Sequence, residues 1–257
     1  MTNKELVKVK NSDSEDAKIV GIGIFKSILG SLPIGNTAVS IYNELQSKQI
    51  ERKIIRLEQF YQSLDNSIKA VEDKVNKEYL TNDNFLDVFE TATRYVVSER
   101  QKKKRDYFKN ILVNSITQKE SDYDKTEKYF RILDDLEETE LKILAILKDP
   151  RKHRVPFKSY LLIERKQDSE GKEKFIVREL NKSSSFPVSK RRIEVLKSIL
   201  GLDREEVEQA SNVLLSKGLI KENLGAKEIL SVGDPIQVLD NQLTAKGKDF
   251  VEFLEEK

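Results

Sequence analysis

The sequence predicts a mainly α-helical protein, in which an N-terminal helical bundle precedes a C-terminal domain of mixed helices and strands. Three observations lead to this fold class. Charged residues make up 35% of the 257 residues, aromatic residues make up 7%, and tryptophan is absent. Long segments contain neither glycine nor proline, which favours helices over strands. Apolar residues also recur at helical spacing over much of the N-terminal half.

The strongest helical pattern lies in residues 37–79. Its apolar positions alternate steps of four and three residues without interruption, at Ile50, Ile54, Leu57, Tyr61, Leu64, Ile68, Val71 and Val75. This heptad stripe has the 3.5-residue period of coiled-coil packing, in a bundle or in an oligomer. The partner helix can come from the same chain or from a second copy, and the pattern leaves both open.

A second long helix is predicted over residues 85–117, after a turn at residues 81–84 that offers capping side chains. The two helices form an antiparallel hairpin, and the segments 17–32 and 123–135 packed against it close a four-helix bundle. The second helix contains a basic run, SERQKKKRD, at residues 98–106. We interpret this run as a solvent-exposed stretch where the helix leaves the core, and phosphate binding is the alternative.

Residues 19–35, IVGIGIFKSILGSLPIG, form the most apolar stretch of the chain. On a helix these residues are apolar nearly all round, so we expect burial either in a protein core or in lipid. The first interpretation is the central helix of the bundle. The second is a latent segment that inserts into a membrane on a trigger, because residues 19–41 are about as long as a bilayer span requires if the break at Pro33 is tolerated. The membrane-insertion candidates are Ile22, Ile24, Phe25, Ile28, Leu29 and Leu32.

The predicted domain boundaries follow changes in composition. Residues 1–16 are polar without periodicity and are interpreted as a flexible tail. The helical bundle is assigned to residues 17–132 and the second domain to residues 133–257. Residues 150–189 form an insertion in that second domain, where two short apolar runs around a polar turn predict a small β-hairpin.

The C-terminal part predicts a helix at residues 190–200, a second helix capped by Asp203, strands at 219–224 and 237–243, and a closing helix at 244–254. This order of helix, turn, helix and two-stranded wing resembles the winged-helix family. The letters LLSKGLI before the first wing strand and LTAKGKDF after the second are similar to the matching places of bacterial winged-helix regulators. The resemblance implies either DNA binding or a protein-interaction role.

In the DNA-binding mode of that family, the second helix enters the major groove. Its outward residues that suit base contacts are Arg204, Gln209, Ser211 and Asn212. The basic residues that flank it in the sequence are Arg151, Lys152, Arg154, Lys190, Arg191 and Arg192. The same helix carries the carboxylates of Asp203, Glu205, Glu206 and Glu208. Carboxylates repel the phosphates that supply most DNA affinity, so the pattern favours a protein partner or weak DNA binding over a sequence-specific repressor.

The composition argues against most enzyme chemistry. Cysteine is absent, which excludes thiolate nucleophiles, disulfides and cysteine-based zinc sites. The single histidine, His153, lies among cations in RKHR, where metal ligation and general-base catalysis are disfavoured. The sequence contains no P-loop, nucleophile-elbow or dinucleotide-binding glycine motif. We expect no enzyme activity, no cofactor and no metal, and only a metal site of carboxylates from distant segments stays open.

These patterns together predict a cytoplasmic, non-catalytic regulatory or interaction protein whose C-terminal domain contacts a protein partner or DNA. Self-association through the heptad stripe is a further expected contact. The alternative is a membrane-acting effector that releases the apolar N-terminal helix on a trigger and so makes conditional membrane contact. A cytoplasmic location is the default for this chain, and the absence of cysteine is compatible with it and with other compartments. A net charge of +2 is too small to indicate nucleic acid by itself.

Overall fold

The structure is a computed structural model that describes residues 35–48, 50–118, 122–153, 161–167, 173–179, 188–222, 224, 227–230 and 235–256. The described chain is mainly α-helical, as predicted. The membrane-insertion candidates Ile22, Ile24, Phe25, Ile28, Leu29 and Leu32 lie outside the described residues, as does the predicted tail. Among the helices that are described, none combines the length and the apolar character needed to cross a membrane.

The chain divides into two compact units. The helical unit comprises Met1–Asp135 together with Phe253–Lys257, and the C-terminal unit comprises Leu136–Glu252. The last residues of the chain therefore belong to the same unit as its N-terminal part.

The described part of the helical unit contains α1 Gly35–Ser47, α2 Glu51–Ala70, α3 Lys77–Leu80, α4 Asp83–Ser98, α5 Lys102–Ile116 and α6 Tyr123–Asp135. Two asparagine side chains accept hydrogen bonds at helix N-termini. Asn76 caps α3 through the Tyr79 N–H at 3.1 Å, and Asn82 caps α4 through the Asn84 N–H at 2.9 Å. The predicted turn at residues 81–84 thus supplies the cap of α4.

The heptad stripe packs inside the helical unit. Its buried members are Leu57, Tyr61, Leu64 and Val71. The Tyr61 ring stacks on Phe89 of α4, with ring centroids 5.6 Å apart. Because α2 packs on α4 and α5, the partner helices of this stripe come from the same chain, and a second copy is not needed to cover its buried members.

Both predicted long helices are interrupted, so the expectation of one continuous helix over 37–79 and another over 85–117 is wrong. Ile50 separates α1 from α2 with non-helical angles of φ −97° and ψ 69°. Glu99 and Gln101 separate α4 from α5 with ψ values of 129° and 118°, which belong to extended backbone. At this second break the Glu99 carboxylate accepts a hydrogen bond from the Gln101 N–H at 2.7 Å, a local bond that competes with helix continuation.

The basic run therefore contains the start of α5 and is not the middle of a helix. Lys102 is the first helical residue and is exposed. Lys104 is only 7% exposed, its Nζ donates to the Asp134 carbonyl at 2.7 Å, and it lies 3.5 Å from the Glu99 carboxylate. The interpretation of the run as uniformly solvent-exposed is wrong at Lys104. Its side chain bridges Glu99, in the break between α4 and α5, and Asp134 near the end of α6.

The described elements of the C-terminal unit are α7 Glu138–Lys148, β1 Leu161–Gln167, β2 Glu173–Glu179, β3 Val188–Arg191, α8 Arg192–Leu200, α9 Arg204–Ser216, β4 Lys227–Leu230 and α10 Ala245–Leu254, which ends in the helical unit. β1 pairs with β2 and β3 pairs with β4, each in antiparallel register. Asp203 caps α9 as predicted, in a capping box with Glu206.

The winged-helix interpretation is wrong, because the predicted wing is not seen in the described residues. The segments 219–224 and 237–243 share a single isolated bridge, between Ile220 and Leu243, and do not form a hairpin. The second segment overlaps a 3-10 helix at Pro235–Leu239, and β4 pairs with β3 instead. The physical reason lies in the 3-10 turn, whose Val238 is buried and gives its carbonyl to the Arg192 side chain, so this stretch is packed as part of the core rather than extended as a wing strand.

Candidate functional site

The predicted flanking cations of the C-terminal unit are paired with carboxylates where the structure describes their side chains. Arg151 lies 3.4 Å from the Asp240 carboxylate, and Lys152 lies 3.0 Å from that of Asp149. The hydrogen bond from Lys152 lowers the pKa of the Asp149 carboxyl. The remaining flanking residues are Arg154, which lies outside the described residues, and Lys190 and Arg191, of which only the backbone in β3 is described.

Two of the predicted contact residues are buried, and their assignment to a binding surface is wrong. Arg192 is 1% exposed, and its Nε donates to the Val238 carbonyl at 2.9 Å while a terminal nitrogen lies 3.0 Å from the Glu222 carboxylate. Ser211 is also 1% exposed, and its hydroxyl donates to the Val207 carbonyl at 2.6 Å. Both side chains stabilise the C-terminal unit from within and do not reach a ligand at its surface.

On the exposed face of α9, Arg204 is neutralised by two carboxylates. Its Nε lies 2.6 Å from Glu208, and a terminal nitrogen lies 3.8 Å from Glu194. The hydrogen bond to Glu208 raises the pKa of the Arg204 guanidinium. Gln209 and Asn212 are exposed, as predicted for outward positions. The predicted residues therefore do not assemble into a cationic surface in the described part of the C-terminal unit.

The helical unit contains a polar cleft between α2 and α5. Its volume is about 570 Å³. The lining residues are Gln59, Phe60, Gln62, Ser63 and Asn66 on α2, Lys102, Arg105, Asp106, Lys109 and Asn110 on α5, and Glu256 near the C-terminus. Apart from Phe60, each of these side chains carries hydrogen-bonding or charged groups.

Helical periodicity places the polar groups of the cleft on facing surfaces. Residues at spacing i, i+3 and i+7 share one side of a helix. Lys102, Arg105 and Lys109 have this spacing on α5, so three cations line one wall. The amides Gln59, Gln62 and Asn66 repeat the same spacing on α2 and line the other wall. The result is a cationic wall that faces a neutral wall of donors and acceptors.

The three cations of the cleft differ in their partners. Lys109 is 6% exposed, and its Nζ lies 3.3 Å from the Glu256 carboxylate. A terminal nitrogen of Arg105 donates to the backbone carbonyls of Glu99 and Arg100 at 3.3 and 2.8 Å, which fixes the guanidinium group without neutralising its charge. Lys102 is exposed and forms no ion pair with the described residues. Since Lys102 is also the first residue of α5, it adds its charge to the positive end of the helix dipole.

Two acidic side chains offset part of this charge. Asp106 and Glu256 line the cleft together with the three cations, so the lining carries one net positive charge. An anion that enters the cleft would therefore meet cationic donors on α5 and neutral amide donors on α2. Charge-assisted hydrogen bonds of this kind are stronger than neutral ones.

Glu256 reaches the cleft because asparagines of α5 hold the end of α10. The Asn110 side chain donates to the Leu254 carbonyl at 2.7 Å, and the Asn114 side chain donates to the carbonyls of Phe253 and Glu255 at 2.9 and 3.0 Å. These bonds satisfy carbonyls that a helix C-terminus otherwise leaves unpaired.

Sequence reasoning found only part of this site. The basic run was recognised as a candidate for holding phosphate, and the spacing of its cations could have been extended to Lys109. The amides of α2 were missed, although they stand opposite the buried heptad stripe at regular spacing. Glu256 carried no local signal, because it meets Lys109 across 147 residues of sequence.

The comparisons with known proteins give no further guidance. No protein-family model, no curated protein and no solved structure matches this chain. Within the described residues, no three histidine or acidic side chains come together as a metal site would require. The cleft between α2 and α5 is therefore the candidate functional site, on the grounds of its own chemistry.

Proposed function

We propose that this protein is a non-catalytic regulatory or interaction protein whose helical unit binds an anionic ligand in the cleft between α2 and α5. The observation that carries the proposal is the row of Lys102, Arg105 and Lys109 along one wall of the cleft. Phosphate-bearing molecules are the ligand class, because their oxygens accept hydrogen bonds from both cations and amides.

The size of the cleft supports a small-molecule ligand. A volume of about 570 Å³ falls within the range of roughly 300–1,000 Å³ that is usual for small-molecule sites. The lining side chains offer hydrogen-bond donors and acceptors suited to binding a polar ligand. The proposed role is therefore recognition of the ligand, and the ligand-bound form of the protein would be the regulatory state.

The macromolecular partner is proposed to be a protein and not DNA. DNA affinity depends on cations that neutralise phosphates, and Arg204 on the exposed face of α9 is already neutralised by Glu208 and Glu194. Arg192 is removed from that surface by burial. These contacts favour a protein partner for the C-terminal unit.

Isothermal titration calorimetry with pyrophosphate tests the ligand proposal, with Lys102→Glu and Lys103→Glu as a matched pair. Both side chains are exposed neighbours on α5, but only Lys102 lines the cleft, whereas Lys103 lies over the Tyr107 ring. A unit charge at 4 Å is worth about 1 kcal/mol in water, so charge reversal at Lys102 should weaken binding about tenfold or more. Lys103→Glu should change the affinity by a smaller factor.

Salt dependence provides a second measurement on the same samples. The wild-type affinity should fall as the ionic strength rises, because exposed charges are screened. Absence of saturable heat at millimolar pyrophosphate, or an equal loss in the Lys102 and Lys103 variants, would contradict the cleft as the binding site.

A further inference from the structure

The cation at the inner end of the cleft already has an anionic partner. Lys109 is 6% exposed, and its Nζ lies 3.3 Å from the carboxylate of Glu256. The Glu256 side chain itself is 70% exposed. A buried cation is thus neutralised by a carboxylate that remains open to solvent and can be replaced without unpacking the core.

The chain before Glu256 is held separately from this ion pair. Asn110 and Asn114 bind the carbonyls of residues 253, 254 and 255. Phe253 also packs edge-on against Tyr129, with ring centroids 5.1 Å apart. The side chain of Glu256 has the bond to Lys109 as its only ion pair or hydrogen bond with the described residues. Its carboxylate can therefore leave the cleft while the backbone of α10 stays in place.

The two ends of the cationic wall consequently differ. Lys102 and Lys109 are seven residues apart on α5, which corresponds to about 10 Å along the helix axis at 1.5 Å per residue. The outer end, at Lys102 and Arg105, has no carboxylate bound to its cations among the described ion pairs. The inner end at Lys109 is occupied by Glu256.

We propose that Glu256 is a built-in competitor of the ligand, and that an extended oligophosphate displaces its carboxylate from Lys109 when it binds along α5. This inference rests on the proposed function of the cleft as an anion site. It specifies the ligand class as one with several anionic groups spread over the length of the cleft. A single phosphate binds at the outer end and leaves Glu256 where it is.

The test compares Glu256→Gln with Glu255→Gln in the full chain, by calorimetric titration of tripolyphosphate and of inorganic phosphate. Both variants remove one negative charge from adjacent exposed residues, but only Glu256 lines the cleft. Because the competing ion pair joins a buried cation to an exposed carboxylate, Glu256→Gln should bind tripolyphosphate about three- to fivefold more tightly. Glu255→Gln should stay within about twofold of wild type, as expected for a surface change away from the site. Inorganic phosphate should gain less from Glu256→Gln than tripolyphosphate does.

Lys109→Met completes a double-mutant cycle that isolates the contact. In that background the gain from Glu256→Gln should disappear, because the cation that both anions share is gone. A thermal melt by circular dichroism shows whether the Lys109 variant is folded. If it is not, the comparison of Glu256→Gln with Glu255→Gln still decides whether Glu256 competes with the ligand.

The outcomes separate this inference from the function on which it rests. Wild-type binding with no gain, or a loss, in Glu256→Gln would overturn the competitor while leaving the anion site intact. No binding of tripolyphosphate to wild type or to Glu256→Gln would overturn both. Binding of tripolyphosphate to Glu256→Gln but not to wild type would support the proposal that Glu256 competes with the ligand for Lys109.

Discussion

Replacing Arg192 by methionine is expected to destabilise the C-terminal unit strongly, although charge alone would place this residue at the surface. Its guanidinium donates to the Val238 carbonyl at 2.9 Å and lies 3.0 Å from the Glu222 carboxylate, and its side chain is 2% exposed. Methionine retains most of the apolar stem, so the change mainly removes the charged head and its bonds.

The magnitude follows from the two contacts. A hydrogen bond from a charged donor is worth about 1.5–3 kcal/mol, and its loss also leaves the Val238 carbonyl, which Arg192 satisfies, to find another donor. The ion pair adds at most about 1 kcal/mol, because the Glu222 side chain is 52% exposed and therefore solvated without it. Arg192→Met should therefore cost about 2–4 kcal/mol of the free energy of unfolding.

Urea denaturation followed by circular dichroism measures this cost, with Glu222→Gln as the control. The control removes the ion pair but keeps the bond to Val238, so it should cost less than about 1 kcal/mol. Equal effects of the two variants, or a cost below about 1 kcal/mol for Arg192→Met, would refute the reasoning that the bond to Val238 dominates.

Two further variants test contacts in the core. In Gly247→Ala the added Cβ would lie 2.0 Å from the Leu219 carbonyl oxygen, so the backbone must shift. We expect urea denaturation to show a loss of about 3 kcal/mol or more in the free energy of unfolding, against about 0.5 kcal/mol or less for the neighbouring control Lys248→Ala. A Gly247 variant as stable as wild type would contradict this packing. Burial raises the pKa of Tyr61 above its usual value of 10.0, because the core disfavours the ionised phenolate. The contribution of the protonated Tyr61 to the free energy of unfolding is therefore fully present below that pH and is lost as the pH rises above it. Tyr61→Phe should cost about 1 kcal/mol at neutral pH through the lost bond to Thr93, and should flatten the decline of the unfolding free energy above pH 10.0; an unchanged alkaline slope would show that Tyr61 does not contribute to it.

The parts of the fold that depend on local periodicity could be predicted from the sequence. The heptad stripe identified the face of α2 that is buried, because its spacing matches the helical repeat regardless of which helices cover it. The N-terminal cap of α9 at Asp203 was also predictable from the sequence, since its partner Glu206 lies three residues away. The basic run was visible in the sequence, but the common face of Lys102, Arg105 and Lys109 and the cleft that they line were not predicted.

The break between α4 and α5 could not be predicted in this way. Apolar and charged residues continue through it at acceptable helical spacing, and what ends the helix is a set of bonds around Glu99. One of the stabilising contacts there, from Lys104 to the Asp134 carbonyl, joins residues that are thirty positions apart.

The wing was mispredicted for a similar reason. Residues 237–243 have the composition of a strand, but packing draws Val238 into the core as part of a 3-10 turn that Arg192 secures. The sequence pattern does not distinguish a strand from a buried turn, because both place apolar residues in a core.

The mainly helical class and the buried face of α2 follow from the sequence alone, since each depends on residues within a few positions of one another. Contacts between distant parts of the chain, by contrast, place Arg192 in the core of the C-terminal unit and bring Glu256 to Lys109 in the cleft. The physical reason is that burying or pairing a charge costs desolvation, which only specific partners offset. Those partners lie 46 residues away for Arg192 and 147 residues away for Lys109, so they become visible only when the chain has folded.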